Sequence, residues 1–70
     1  MAMKITLDKE ADAAYVYFKE IVSGEVAKTI SLDDSINIDL DSKGQILGIE
    51  ILNASENLPL TTLKSAESIN

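Results

Sequence analysis

Asp39, Asp41, Gly44 and Glu50 fall at the first, third, sixth and twelfth places of a twelve-residue window, D-L-D-S-K-G-Q-I-L-G-I-E. That spacing approaches a calcium-binding loop. Such a loop takes oxygen ligands at the first, third, fifth and twelfth places and needs glycine at the sixth for a sharp turn. Lys43 occupies the fifth place, which removes a ligand and adds a repelling charge. The flanks also disagree. A calcium loop of this kind joins two helices, whereas Ile36-Asn37-Ile38 and Leu47-Gly48-Ile49 alternate with a period of two, the mark of strands. The window therefore reads as a β-hairpin. Weak binding of a divalent cation or small ligand is the alternative, and if a metal is held, Asp39 and Asp41 are its ligands, with Asp33 or Asp34 nearby.

The hairpin has a register that apolar matching selects. Asp41 opposite Ile46, across a four-residue loop Ser42-Lys43-Gly44-Gln45, sets Leu40 against Leu47, Ile38 against Ile49 and Ile36 against Ile51. A three-residue loop slips the pairing by one and puts Ile36 and Ile38 against Glu50 and Gly48. A one-residue slip exchanges the two faces of a strand, so the four-residue loop is expected. Asn37, Asp39, Gly48 and Glu50 then share the polar face. Glu50 lies beside Asn37, well along the sheet from the turn, too far to return as a twelfth-place ligand at about 3.4 Å per residue. Asn37, Asp39, Asp41 and Glu50 are the candidate binding residues. Gly48 leaves room on that face for Tyr15, Tyr17 or a partner's ring.

Other chemistry is scarce. The chain has no His, Cys or Arg. Catalysis near neutral pH draws on His, Cys, a metal or tuned carboxylates, and only carboxylates are present. Asp33-Asp34 and Asp39/Asp41 read first as solvated turn and strand-edge acids, and Glu50 as an outward charge that discourages sheet aggregation. No catalytic residue is assigned, no cofactor is expected, and the chain is expected not to be an enzyme. Six Lys against twelve acids give a net charge of −6. Nucleic-acid binding begins with a basic footprint and commonly uses Arg, so that class is set aside. An acidic surface favours basic partners or cations.

Seventy residues allow one domain, residues 1–70. A chain this short buries roughly 60% of the surface it exposes when unfolded. With neither disulfides nor zinc ligands to staple it, a partner chain is the remaining way to bury more, and a homo-oligomer, specifically a dimer, is expected. No apolar run approaches the ~20 residues that span a bilayer, and Met1-Ala2-Met3-Lys4 lacks a signal-peptide apolar region. A cytoplasmic location follows as the expectation.

The elements that must position these residues follow from alternation. Met3, Ile5 and Leu7 mark a first strand and Ala13–Phe18 a second, joined by a polar loop in which Asp8 and Asp12 can accept local backbone N–H groups. Tyr15 and Tyr17 share one face of the second strand; alternation alone leaves open whether that face is the core. Ser23-Gly24 signals a turn. Val26, Ile30, Leu32, Ile36, Ile38 and Leu40 alternate with polar residues over fifteen positions, too long for one strand, so two strands breaking at Asp33-Asp34-Ser35 are expected. A further strand covers Gln45–Leu52. Leu60, Leu63 and Ala66 then take helical spacing, with Asn57 as cap, Pro59 in the first turn, and Leu60 and Leu63 docked on the sheet. The expected fold is α+β: a small antiparallel β-meander of four to five strands with one short C-terminal helix.

Two motifs, E-A-D-x-x-Y at Glu10–Tyr15 and D-x-D-x-x-G-x-x-x-G-I-E at Asp39–Glu50, together with Lys4–Asp8, Ile36–Asn37–Ile38 and Ala54-Ser55, carry a family resemblance. From about Met3 to Leu63 the chain resembles a widespread group of small bacterial and archaeal proteins, domain of unknown function 2283. It departs at Leu7, where the family often has Tyr, and at Ser35, where it often has Gly. The resemblance implies a compact β-meander with a helix and no established activity, so it transfers no catalytic residue. It also implies a gene neighbour with a toxin-like look, hence a protein-interaction module of antitoxin-like character with a basic partner.

Overall fold

The computed structural model describes residues 3–69. Six strands form one sheet: β1 (Lys4–Asp8), β2 (Ala13–Tyr17), β3 (Lys28–Ser31), β4 (Ile36–Leu40), β5 (Ile46–Leu52) and β6 (Glu67–Ser68). Two short helices, α1 (Ala54–Asn57) and α2 (Leu60–Ser65), lie between β5 and β6. The spatial order is β3-β4-β5-β2-β1-β6. The hairpin β1–β2 and the meander β3–β4–β5 are thus two units, joined where β5 pairs antiparallel with β2. Residues 18–27 carry the chain from β2 across to the far edge. A turn at Gly24 (φ 83°) and the Lys19–Glu25 ion pair shape that connection.

The α+β class holds, but the sheet is mixed and six-stranded rather than a four-to-five-stranded antiparallel meander. The addition is β6, two residues parallel to β1, with Thr6 opposite Glu67 and Leu7 opposite Ser68. An element that short has no alternation to betray it. The break at Asp33–Ser35 is as expected: β3 and β4 pair antiparallel with Ile30 opposite Ile38.

The β4–β5 hairpin keeps its expected pairs away from the turn: Ile36 with Ile51, Asn37 with Glu50, Ile38 with Ile49 and Asp39 with Gly48. Near the turn it differs. Leu40 faces Ile46 rather than Leu47, because a register shift follows Asp39. The loop is one residue tighter than expected: the Asp41 N–H donates to the Gln45 carbonyl and the Gly44 N–H to the Asp41 carbonyl, both at 3.0 Å. Gly44 takes φ 83°, which such a turn demands. The tight loop alone would misphase the strands. Leu47, the extra residue of the resulting β-bulge, restores the phase, and its side chain is only 2% exposed.

The core lies between the sheet and the helices. Leu7, Ala14, Ile51 and Ala54 form its buried centre, with Val16, Ile49, Leu58, Leu63 and Ala66 packed around them. Leu63 docks as expected, but Leu60 is 65% exposed and Leu58 takes its place. Asn57 does not cap α2. It ends α1 and donates its side-chain amide to the Leu52 carbonyl at 2.9 Å, while Pro59 occupies the N-cap position of α2. The cause is α1, a single turn anchored from afar. Asp12, at φ 53°, accepts from the Ser55 N–H at 2.9 Å and the Ser55 hydroxyl at 2.7 Å, and its own carbonyl accepts the Ala54 N–H. Asp8 acts locally, as expected, accepting the Glu10 and Ala11 N–H groups. Among the described residues, no helix is long and apolar enough to cross a membrane.

Asp12 therefore satisfies helix donors and holds a left-handed backbone, which Asp and Asn tolerate best after glycine. Asp12→Ala should lower unfolding stability by about 1–3 kcal/mol, whereas Asp12→Asn should cost less. Urea titration measures both, and equal losses for the two variants would contradict the role.

Candidate functional site

The face of the sheet opposite the helices is polar, and its rows follow from the strand registers. One row runs Thr29, Asp39, Gly48, Tyr17, Lys4 across β3, β4, β5, β2 and β1; the next runs Ser31, Asn37, Glu50, Tyr15, Thr6. Tyr15 and Tyr17 thus occupy the polar face, leaving Ala14 and Val16 to the core.

Tyr15 does not stay within its own row. Its ring lies over Gly48 and its hydroxyl donates to Asp39 Oδ2 at 2.5 Å, crossing β5 from β2 to β4. A Cβ on residue 48 would sit 2.4 Å from Tyr15 Cε2, so only glycine admits the ring. The Thr29 hydroxyl donates to Asp39 Oδ1 at 2.7 Å. Both carboxylate oxygens are thereby held, one from each side. Alongside, the Ser31 hydroxyl donates to Asn37 Oδ1 at 2.6 Å, and Asn37 Nδ2 donates to Glu50 Oε1 at 2.9 Å. Tyr17 packs against Tyr15 with ring centroids 4.6 Å apart, and Lys4 Nζ lies 5.1 Å above the Tyr17 ring.

Of the four candidate residues, Asn37, Asp39 and Glu50 come together on this face. Asp41 does not join their network. Its Oδ1 accepts the Lys43 and Gln45 N–H groups, both at 2.9 Å, closing its own turn. These backbone donors, Gln45 foremost, hold its carboxyl below the usual carboxylate range. Asp33 closes the β3–β4 turn in the same way, through the Ser35 and Ile36 N–H groups. Among the described residues, no three acidic side chains converge to hold a metal ion. A wide cavity of about 650 Å³ opens on the helix side, between α2 and the start of β1, and none of the four candidates lines it.

Sequence reasoning missed Thr29 as a partner of Asp39, and left Tyr15 and Tyr17 as equal claimants to the space over Gly48. The usable signal was a glycine inside an apolar strand, which marks a close approach.

The Tyr15 hydroxyl is pushed well above the ordinary tyrosine range, by desolvation first and then by the bond to Asp39. The folded chain holds this proton more tightly than the unfolded chain. Its contribution to stability is therefore whole below about pH 10 and is lost as pH rises beyond that. Alkaline absorbance titration should show a late tyrosine phase that Tyr15→Phe removes; survival of that phase in the variant would refute the assignment. Gly48→Ala should displace the ring, cost about 1–3 kcal/mol and bring the late phase to lower pH. An unchanged titration would mean that the ring is not held there.

Sequence comparison places these residues in a family. Residues 4–55 match the model of a protein family of unknown function, DUF2283. An uncharacterized protein of the archaeon Methanocaldococcus jannaschii is 50% identical over 56 residues, covering 80% of this chain and 45% of its own length. The chain thus spans less than half of that relative. No solved structure matches. The stretch matched by the family model includes Asp12, Tyr15, Asp39, Gly48 and Glu50, the residues that organise the polar face and anchor α1, and the chain belongs to the DUF2283 family.

Proposed function

We propose that this chain is a non-catalytic, cytoplasmic protein-interaction module of antitoxin-like character, which offers the polar face of its sheet to a basic protein encoded nearby. One observation carries the reading. Asp39 and Glu50 are held in place beside the paired rings of Tyr15 and Tyr17 on a face that the helices leave uncovered. An ionised carboxylate offers about four lone-pair positions, so the bonds that orient Asp39 and Glu50 leave capacity for Arg or Lys of a partner. Tyrosines supply contact area at small entropic cost, and arginine forks suit fixed carboxylates. A net charge of −6 would speed the encounter with a basic protein.

A cation or small-ligand site at Asp39 and Asp41 is the weaker reading. Asp41 is committed to closing its own turn, while Asp39 is held by Tyr15 and Thr29, so the two carboxylates are not turned toward a common ion.

Calorimetric titration with the purified product of the neighbouring gene tests the proposal. A complex is expected that weakens as salt rises and loses about tenfold in affinity in Glu50→Gln. That variant should retain the unfolding curve of the parent. Absence of binding, or binding indifferent to both salt and Glu50→Gln, rejects the proposal.

A further inference from the structure

The exposed apolar side chains are not scattered evenly. Val26, Ile30 and Leu32, at 40%, 42% and 68% exposure, alternate along one short stretch that includes β3. That strand is one edge of the sheet, and all four of its residues are exposed. The half-buried Ile36 and Ile38 of β4 continue the same apolar face, beyond the helices' core cluster.

The backbone of this edge is open as well. The Leu32 N–H donates to the Ile36 carbonyl at 2.8 Å. Bonded and non-bonded pairs alternate along an antiparallel ladder, so Ile30 also bonds toward β4, while Thr29 and Ser31 turn their N–H and carbonyl groups outward. Proline, bulges and a run of charge are the usual devices that blunt an edge. Here β3 reads Lys28-Thr29-Ile30-Ser31, with the single Lys28 and an irregularity only at its start, where the Ala27 N–H bonds the carbonyl of Leu40, the residue paired with Lys28.

That lysine has a counterpart. Lys28 stands at one end of the edge and Asp34 at the other, in the β3–β4 turn, so within one chain they sit at opposite ends of the strand. In an antiparallel pairing of two copies centred on Ser31, Ile30 falls opposite Leu32 of the second copy, and the long side chain of Lys28 points toward the turn that carries its Asp34. Both contacts occur twice by symmetry. Sliding the centre to Ile30 leaves one Ile–Ile pair and sets Lys28 against Leu32. Centring on Thr29 sets Lys28 against Ile30. Only the Ser31 register satisfies both the apolar and the charged residues.

We propose that β3 is a homodimerisation edge, occupied by β3 of a second copy in the register centred on Ser31. Two six-stranded sheets become one continuous sheet. A two-fold axis perpendicular to that sheet keeps the polar faces of both copies on one side and the helices of both on the other. This inference goes beyond the reading of the polar face and does not depend on it.

Light scattering at high micromolar concentration should give twice the 7.6 kDa chain mass. The chain has no Cys, so single engineered thiols report position cleanly. Across a bonded antiparallel pair the Cα atoms are about 5.5 Å apart, within disulfide range. Ser31→Cys should therefore oxidise to a covalent dimer and Thr29→Cys should not. Lys28→Asp and Asp34→Lys should each weaken the dimer about tenfold, through two like-charge contacts each, and their combination should restore it. A monomeric mass, crosslinking at Thr29 in preference to Ser31, or a double variant as weak as the singles would overturn the proposal. Each outcome is read without any other protein, so it is separable from the test of partner binding.

Discussion

The tie from Tyr15 over Gly48 to Asp39 is the interaction on which the rest of this sheet depends. The chain is assembled from a two-stranded hairpin and a three-stranded meander that are not contiguous in sequence. Their seam is the β2–β5 pairing. On the helix side the seam is sealed by Ala14 and Ile51. On the open face it is spanned by one phenol that starts on β2 and ends on β4. Such a bridge needs three things together: a tyrosine on one strand, no side chain on the strand it crosses, and an ionised acceptor beyond. A hydrogen bond to a charged group is worth about 1.5–3 kcal/mol, a large share of the stability that a chain of this length can hold.

The other family motif residues act in the same manner. Asp12 fixes the first turn after β5 from forty-odd positions away, through Ser55. Asp41 and Gly44 shape the β4–β5 turn. Glu50 is oriented by Asn37. What looks in one dimension like a metal loop is in three dimensions a set of ties between strands and turns. Together they leave a polar face with fixed acids and paired rings.

Much of this was legible beforehand. Apolar alternation specified the pairing of Ile36 with Ile51 and Ile38 with Ile49, because a slip would have put both isoleucines on the polar face. It also separated β3 from β4 at Asp33–Ser35. Alternation could not distinguish a four-residue loop from a tighter loop plus a bulge at Leu47, since the two give the same phase beyond Gly48. Nor could it find β6, where two residues carry no period. Helical spacing located α2 but not its docking face, because α1 is set by a contact from Asp12 that lies far away in sequence. At the site, Gly48 announced a close approach without naming the ring. The choice between Tyr15 and Tyr17 depends on the lean of a side chain across strands, which no pattern in the sequence encodes.

Tyr15 and Asp39 act as one unit across Gly48. A double-mutant cycle on unfolding free energy, with Tyr15→Phe, Asp39→Asn and the pair together, measures that directly. A coupling of about 1.5–3 kcal/mol is expected, with the double variant little worse than either single one. Additive losses from the two substitutions would contradict it.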